Sequence, residues 1–377
     1  MIYHDFHGAK LSALGLGCMR FPTLEAYEQI DMEKLKEMVA FAIQNGINYF
    51  DTAWMYHGGN SETAMGEVLK SYPRESFYLA TKYPSFSPEQ FENPAEIFEK
   101  QLSKCQVDYF DFYLLHNVCE TNIDLFLNSG VVSYLLEQKK LGRIRHFGFS
   151  THGSLETMIR LLDAYGEHIE FCQIQLNWLD WSLQNARRKV EMLNSRGVAV
   201  WVMEPVRGGK LCTLPEEHTA RLSALHPDWT LPQWAFRFLQ GVPGVTMVLS
   251  GMSNMEQLAQ NIDTFCQTLP LCDTDRDALL SIGKAMTGNG ILHCTGCRYC
   301  TDQCPQELNI PWLIELYNGY LYSGGKNLPV RTVNTLDDSK KPAACIGCKS
   351  CEGICPQQLP ISETLAAFAQ ALSETSV

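Results

Sequence analysis

Residues 47–82 read INYFDTAWMYHGGNSETAMGEVLKSYPRESFYLATK, one complete strand–helix–strand unit. Ile47–Phe50 and Phe77–Thr81 are short apolar runs of the kind that fit a buried, pleated surface. Between them Ser61–Lys70 has the spacing of an amphipathic helix. The unit recurs along the chain. Leu14–Leu16, Phe110–Leu115, Ile144–Phe149, Phe171–Leu176, Val198–Met203 and Val245–Leu249 complete a set of eight runs, bounded by Gly, Asp or Pro. Helix-like segments alternate with them: Met32–Gln44, Pro94–Cys105, Val131–Lys140, Ser154–Tyr165, Ser182–Asn194, Leu231–Leu239 and Asn254–Thr264. Eight β units each followed by α predict an α/β fold, a (β/α)8 TIM barrel, over residues 1–286. An open doubly wound sheet is the alternative, weakened because no GxGxxG follows the first strand.

A helix over Asp273–Met286 and a hinge at Thr287-Gly288-Asn289-Gly290 lead into a second, small domain over residues 287–377. Cysteines define it. Cys294, Cys297, Cys300 and Cys304-Pro305 are matched by Cys345, Cys348, Cys351 and Cys355-Pro356, a repeat offset by 51 residues (345 − 294). Three thiols spaced by two residues wrap one corner of a cubane, and the fourth, before Pro, serves the other cube. Two 4Fe-4S clusters are therefore expected, one on Cys294, Cys297, Cys300 and Cys355, the other on Cys345, Cys348, Cys351 and Cys304. Structural zinc fits less well, because it leaves the third CxxC step and the repeated proline unexplained. These runs resemble those of bacterial two-cluster ferredoxins. The stretch between them, with an apolar helix over Ile310–Tyr317 and a loop over Ser323–Pro342, is long for a compact ferredoxin. An α-rich ferredoxin-like fold and a β-containing one both stay open. Ile361–Leu372 reads as a closing helix.

The chain of 377 residues is 45% apolar and carries a formal charge of −12. That charge argues against nucleic acid as a partner and does not favour anionic membrane surfaces. No apolar run reaches membrane-spanning length, and no apolar signal region opens the sequence. Fifteen cysteines without an export signal point to a reducing cytoplasm.

Barrel enzymes place their chemistry at the C-terminal ends of strands. Asp51-Thr52-Ala53-Trp54-Met55-Tyr56 follows the second strand, Thr81-Lys82 ends the third, and Leu114-Leu115-His116 ends the fourth. Each residue alone has a plainer reading: Asp51 as a turn residue, Tyr56 as a wall aromatic, His116 as a core imidazole. Their succession along one rim carries the chemistry. This stretch, within residues 1–265, resembles the aldo/keto reductase superfamily, whose tetrad is Asp, Tyr, Lys and His in this order. The resemblance implies catalytic roles for Tyr56, Lys82, Asp51 and His116. Hydride arriving at a carbonyl leaves negative charge on oxygen, and a proton donor must meet it. Tyr56 is then the general acid, with its pKa lowered by Lys82, which Asp51 holds; His116 orients the substrate oxygen.

The loops after strands seven and eight commonly bind phosphate in barrels. In the family they straddle a nicotinamide dinucleotide, which implies cofactor contacts from Met203, Pro205, Gly208, Gly209, Gly251, Ser253, Asn254 and Gln257. Asn261 matches the adenine-side Asn, and Ser150, Thr151 and Gln173 fall where carboxamide contacts lie. Two departures stand out. Met203 replaces a stacking aromatic, and neutral Gly251 and Gln257 stand where many members hold the 2′-phosphate with Lys and Arg. NADP(H) is kept as the family default; the neutral pair gives less reason to prefer it over NAD(H). Trp54, Tyr83, Trp178 and Trp181 are candidate pocket walls.

A hydride carries two electrons and a cluster one, a mismatch proteins commonly bridge with a flavin; no secure flavin motif is present. The first expectation is an iron–sulfur aldo/keto reductase reducing a small-molecule carbonyl or related group with NAD(P)H. The second is a ferredoxin-coupled reductase whose clusters feed single electrons, from an electron-transfer protein, to a flavin or substrate at the rim. The third is a redox-sensing or binding module, as in the related potassium-channel β subunits, which the intact tetrad disfavours.

Overall fold

In a computed structural model describing residues 1–286, 290–322 and 328–375, the chain divides into two compact units. Met1–Val206 with Leu211–Leu280 form the first; Arg207–Lys210 with Ser281–Val377 form the second. The second unit thus begins inside the helix Asp273–Met286. The first three residues of the expected hinge, 287–289, lie outside the described residues, as do 323–327 of the expected loop.

The first unit opens with an antiparallel hairpin, β1 (Tyr3–Phe6) and β2 (Ala9–Ser12). Eight parallel strands follow: β3 (Leu14–Gly17), β4 (Tyr49–Asp51), β5 (Tyr78–Tyr83), β6 (Phe110–Val118), β7 (Ile144–Thr151), β8 (Phe171–Gln175), β9 (Ala199–Met203) and β10 (Val245–Ser250). They pair in chain order, and β10 returns to β3 through Val248 on Leu14 and Ser250 on Leu16, closing the barrel. Every strand read from the sequence is present. Gly148 permits one of these pairings: a Cβ there would lie 2.4 Å from the carbonyl oxygen of Phe171 on β8.

The hairpin was not legible in advance, yet it sets where chemistry can occur. Phe6 enters the N-terminal end of the barrel and packs edge-on against Trp201 and Phe171, with ring centroids 4.9 and 6.2 Å away. Leu11, Tyr49, Phe112 and Met247 fill the same cluster. Burying each such side chain stabilises the fold by about 1.5–3 kcal/mol. That end is plugged by apolar side chains, which leaves chemistry to the opposite rim. Just beneath β8, Glu170 takes hydrogen bonds from Lys139, His146 and the Phe147 N–H. Burial resists its ionisation, but His146 and Lys139 win and hold its carboxyl down at about 2.

The helices start where caps dictate. Asp31 accepts the Lys34 N–H before Met32–Gln44, and Asn93 accepts the Glu96 N–H before Pro94–Cys105, with Pro94 at the first turn. The helix expected over Ser182–Asn194 is two, Asp180–Leu183 and Ala186–Ser195, because Asn185 is left-handed (φ +53°). Glu216–Leu225, after β9, is a helix the sequence reading did not contain.

The second unit is helical among its described residues, which settles for the α-rich form: Tyr299–Asp302, Ile310–Tyr322, Leu328–Asn334, Ser350–Ile354 and Ile361–Thr375. The expected loop after Tyr322 holds the helix Leu328–Asn334 instead. Leu308, Ile310, Leu313, Ile314, Ile361 and Leu365 form a core around Cys300 and Cys351. The cysteine repeat is also a backbone repeat. Gly296 and Gly347 share φ near +65°, Arg298 and Lys349 are both left-handed, and so are Glu307 and Gln358.

Candidate active site

The ends of β4, β5 and β6 bring the tetrad together. Lys82 Nζ donates to Asp51 Oδ1 (2.5 Å), to the Thr52 carbonyl (2.8 Å) and to Tyr56 Oη (3.3 Å). Lys82 and Asp51 are 1% and 3% exposed, so the pair is shielded from solvent screening. The His116 ring stands edge-on to Tyr56, 5.9 Å between centroids. Behind Lys82, Gln101 donates to the Lys82 carbonyl (3.0 Å) and to buried Glu62 (2.7 Å), which also accepts from Thr81 and Lys104. The Tyr56 loop is pinned by its neighbour: His57 accepts the Phe21 N–H at Nε2 (3.1 Å) and meets the Tyr27 carbonyl through Nδ1 (2.6 Å). With Nε2 accepting, Nδ1 carries the proton.

The electrostatics correct one expectation. Lys82 does not bring Tyr56 below its usual range. Burial, and then the Asp51 carboxylate, push the phenol well up. Asp51 cancels much of the ammonium's field, so Tyr56 is a neutral phenol that keeps its proton until an acceptor arrives. Burial also pushes Asp51 up, against Lys82 and Gln173. Burial, then Lys82, depress His116 well below its ordinary value, so it is a neutral imidazole able to donate one hydrogen bond.

The expected cofactor residues fall into three places. Ser150, Thr151 and Gln173 lie at the ends of β7 and in β8. Ser150 Oγ accepts the Asn117 N–H (2.9 Å), Thr151 Oγ1 donates to the Val118 carbonyl (2.6 Å), and Gln173 Oε1 has no hydrogen-bond partner among the described residues. Met203 and Pro205 lie at the end of β9; Gly251, Ser253 and Asn254 follow β10, and Gln257 and Asn261 lie in the helix Met255–Thr264. Asn254 caps the helix Met255–Thr264, and Asn261 donates to Ser250 Oγ (3.2 Å). Gly208 and Gly209, both left-handed at φ +63° and +91°, belong to the segment grouped with the second unit. Of the aromatic candidates, Tyr83 and Trp178 are buried, and Trp181 packs on Phe238 of the helix Leu231–Gln240. Trp54 lies under Lys104 Nζ, 4.4 Å from the ring centroid.

Sequence reasoning missed two rim residues. Arg20 lies at the end of β3, 3.8 Å by Nη2 from Glu204 Oε1, and Ser253 Oγ donates to its carbonyl (2.9 Å). Its side-chain carbons stand 3.1 Å from where a Cβ on Gly251 would be. Glu204 follows β9 in a left-handed conformation (φ +58°). Both sit at strand ends, the signal that found the tetrad.

In the second unit the eight thiols form two quartets. Cys294, Cys297, Cys300 and Cys355 line one small pocket; Cys304, Cys345, Cys348 and Cys351 line another. Four thiols around a void suit a cube.

Fold and rim together define a barrel oxidoreductase joined to an iron–sulfur module. The chain belongs to the aldo/keto reductase family, whose model matches residues 13–279, and a 4Fe-4S dicluster domain matches residues 293–360. The uncharacterized oxidoreductase YqkF of Bacillus subtilis is 27% identical over 67% of this chain and 86% of its own length. The NADH-specific methylglyoxal reductase of Escherichia coli is 24% identical over 73% of this chain and 96% of its own. The solved aldo-keto reductase AKR11C1 of Bacillus halodurans, in its holo form, superposes with a TM-score of 0.63 at 25% identity, over 75% of this chain and 96% of that one.

Proposed function

We propose that the barrel, residues 1–286, reduces a small carbonyl compound with NAD(P)H, and that residues 287–377 carry two 4Fe-4S clusters. The observation that carries the first part is Lys82 Nζ bridging Asp51 Oδ1 and Tyr56 Oη. When bound, the dinucleotide supplies the hydride. The residues of the chain do the rest. His116 donates to the carbonyl oxygen and turns it toward Tyr56, which gives up its proton as charge builds on that oxygen. The phenolate left behind faces the Lys82 ammonium, which stabilises it until it regains a proton from solvent for the next turnover. The residues fit such a cofactor and substrate: buried His116 Nδ1, Asn117 Oδ1 and Gln173 Oε1 have no partners among the described residues, and a bound polar group would satisfy them.

The neutral Gly251 and Gln257 leave NADH a full candidate, in line with the name of the Escherichia coli relative, so small 2-oxoaldehydes with NADH and with NADPH are the first pairs to test. Nucleotide oxidation that depends on the aldehyde, lost in Tyr56→Phe while nucleotide affinity is kept, supports the reading. Equal turnover by Tyr56→Phe and the parent refutes it.

Each cluster would take one quartet, Cys294, Cys297, Cys300 and Cys355 or Cys345, Cys348, Cys351 and Cys304, and supply one-electron chemistry. Two quartets rather than one favour a second reading, in which an electron-transfer protein exchanges electrons with the module. Anaerobic titration with NADPH and NADH separates the two. Cluster bleaching with a reduced-cluster EPR signal favours electronic linkage; nucleotide binding without bleaching favours carbonyl reduction alone. We place the protein in the cytoplasm, the reducing compartment that a chain with fifteen cysteines suits.

A further inference from the structure

Arg207 is buried, 1% exposed, within the second unit. Its Nη1 donates to the carbonyl of His293 (2.6 Å), and its Nη2 donates to Gln357 Oε1 (3.1 Å). His293 immediately precedes Cys294, and Gln357 follows Cys355-Pro356. These two stretches carry the first and the last thiol of one quartet and come from opposite halves of the cysteine repeat. One guanidinium therefore ties together the two chain segments that must meet for that quartet to close. The same segment, Arg207–Lys210, brings a second cation to this unit, Lys210. Lys210 is itself tied to Glu315, Nζ to Oε1 3.0 Å, and half of it is in solvent, so its field is partly cancelled and screened. Arg207 is the buried one. At the other quartet the stretch after Cys304-Pro305 receives an exposed lysine instead: Lys340 Nζ donates to the carbonyls of Gln306 (3.4 Å) and Glu307 (3.3 Å) and is paired with Glu307 Oε2 (3.1 Å), so its charge is screened and partly cancelled, and no buried arginine is among the described contacts there.

We propose that Arg207 is the positioning residue of the cluster held by Cys294, Cys297, Cys300 and Cys355, and that its charge sets that cluster's reduction potential above what the thiolates alone would give. The inference rests on the two-cluster reading above. A 4Fe-4S cube with four thiolates carries two negative charges when oxidised and three when it has accepted one electron. A fixed cation in a low-dielectric surround stabilises the more negative form. Removing the charge makes that one-electron reduction harder and leaves the other cluster untouched.

The test uses the full-length, iron-loaded protein under anaerobic conditions, with iron and acid-labile sulfide counted per chain and dithionite as reductant in an EPR-monitored potentiometric titration. Arg207→Gln keeps hydrogen-bonding groups and loses the charge; Arg207→Lys keeps the charge and loses the fork. The expected result is that Arg207→Gln lowers the reduced-to-oxidised ratio of one cluster at fixed potential about tenfold, which is 59 mV for one electron. Arg207→Lys recovers most of it, and the second cluster is unmoved in both. Loss of one cluster's iron from Arg207→Gln but not from Arg207→Lys supports the same assignment. Unchanged potentials in Arg207→Gln with full iron content overturn the proposal. Equal shifts, or equal cluster loss, in Gln and Lys variants also overturn it, because the role would then be one of shape. A parent protein without stoichiometric iron and sulfide sinks the two-cluster reading itself, a separate result.

Discussion

Lys82→Met tests the ion pair at the centre of the rim. It leaves the Asp51 carboxylate buried without its ammonium, and breaking a buried pair on one side costs about 3–5 kcal/mol. The carboxylate's escape is to take up a proton. Holding an acid of ordinary pKa near 3.9 protonated at pH 7 costs about 4 kcal/mol, which sets the ceiling; at pH 5 the same step costs about 1.5 kcal/mol. The sign follows from proton counting. The folded variant binds a proton that the unfolded chain has released, so its stability falls as pH rises above about 4. The instability of Lys82→Met relative to the parent should therefore be small at pH 5 and close to its ceiling at pH 7. Adding Asp51→Asn should restore most of the stability at pH 7 and none of the turnover. Anaerobic urea unfolding of the iron-loaded protein, followed by circular dichroism at both pH values, reads the stability difference. A deficit independent of pH, or a double variant as unstable as Lys82→Met, would refute the claim that an orphaned Asp51 charge is what the ammonium prevents.

Three further outcomes are expected. Glu170→Gln destabilises the barrel at pH 7 by about 2 kcal/mol, after allowance for the partial exposure of its Lys139 and His7 partners. Because the folded pKa is depressed, the gap from the parent persists above pH 4.5 and closes as pH falls toward about 2; thermal unfolding across that range of cluster-free protein checks it. Cys294→Ser and Cys355→Ser, in opposite halves of the repeat, should remove the same EPR component, while Cys304→Ser removes the other; different components lost from Cys294→Ser and Cys355→Ser would rule out the crossed ligand sets. Gln257→Arg should tighten NADPH relative to NADH in a fluorescence titration, and an unchanged ratio would move the phosphate site elsewhere.

The strands were legible because each is a compact apolar run, and β6, buried along its whole length, is the clearest. The hairpin was not: Tyr3–Phe6 alternates exposed and buried residues over only four positions, and its meaning comes from Phe6 meeting Trp201, far along the chain. Pro329 and the surrounding polar residues hid the helix Leu328–Asn334. The tetrad could be read from strand ends because local sequence places those side chains. The proton affinity of Tyr56 could not, since burial and the Asp51 field outweigh Lys82 only once the barrel has closed. Arg207 was equally silent, because its partners lie 86 and 150 residues away.

The crossing of the two cysteine runs bears on how the protein is made. In the proposed arrangement the quartet opened at Cys294 stays unfinished until Cys355 has been synthesised, and the quartet centred on Cys348 needs Cys304 from the earlier run. Neither run can be metallated alone as the chain emerges from the ribosome, whereas the barrel strands are all complete by Ser250 and can fold first. Iron delivery is then a late, paired event. Iron-starved cells should accumulate chains with a finished barrel and an empty module, and a protease pulse during recovery from starvation would report both cubes maturing together.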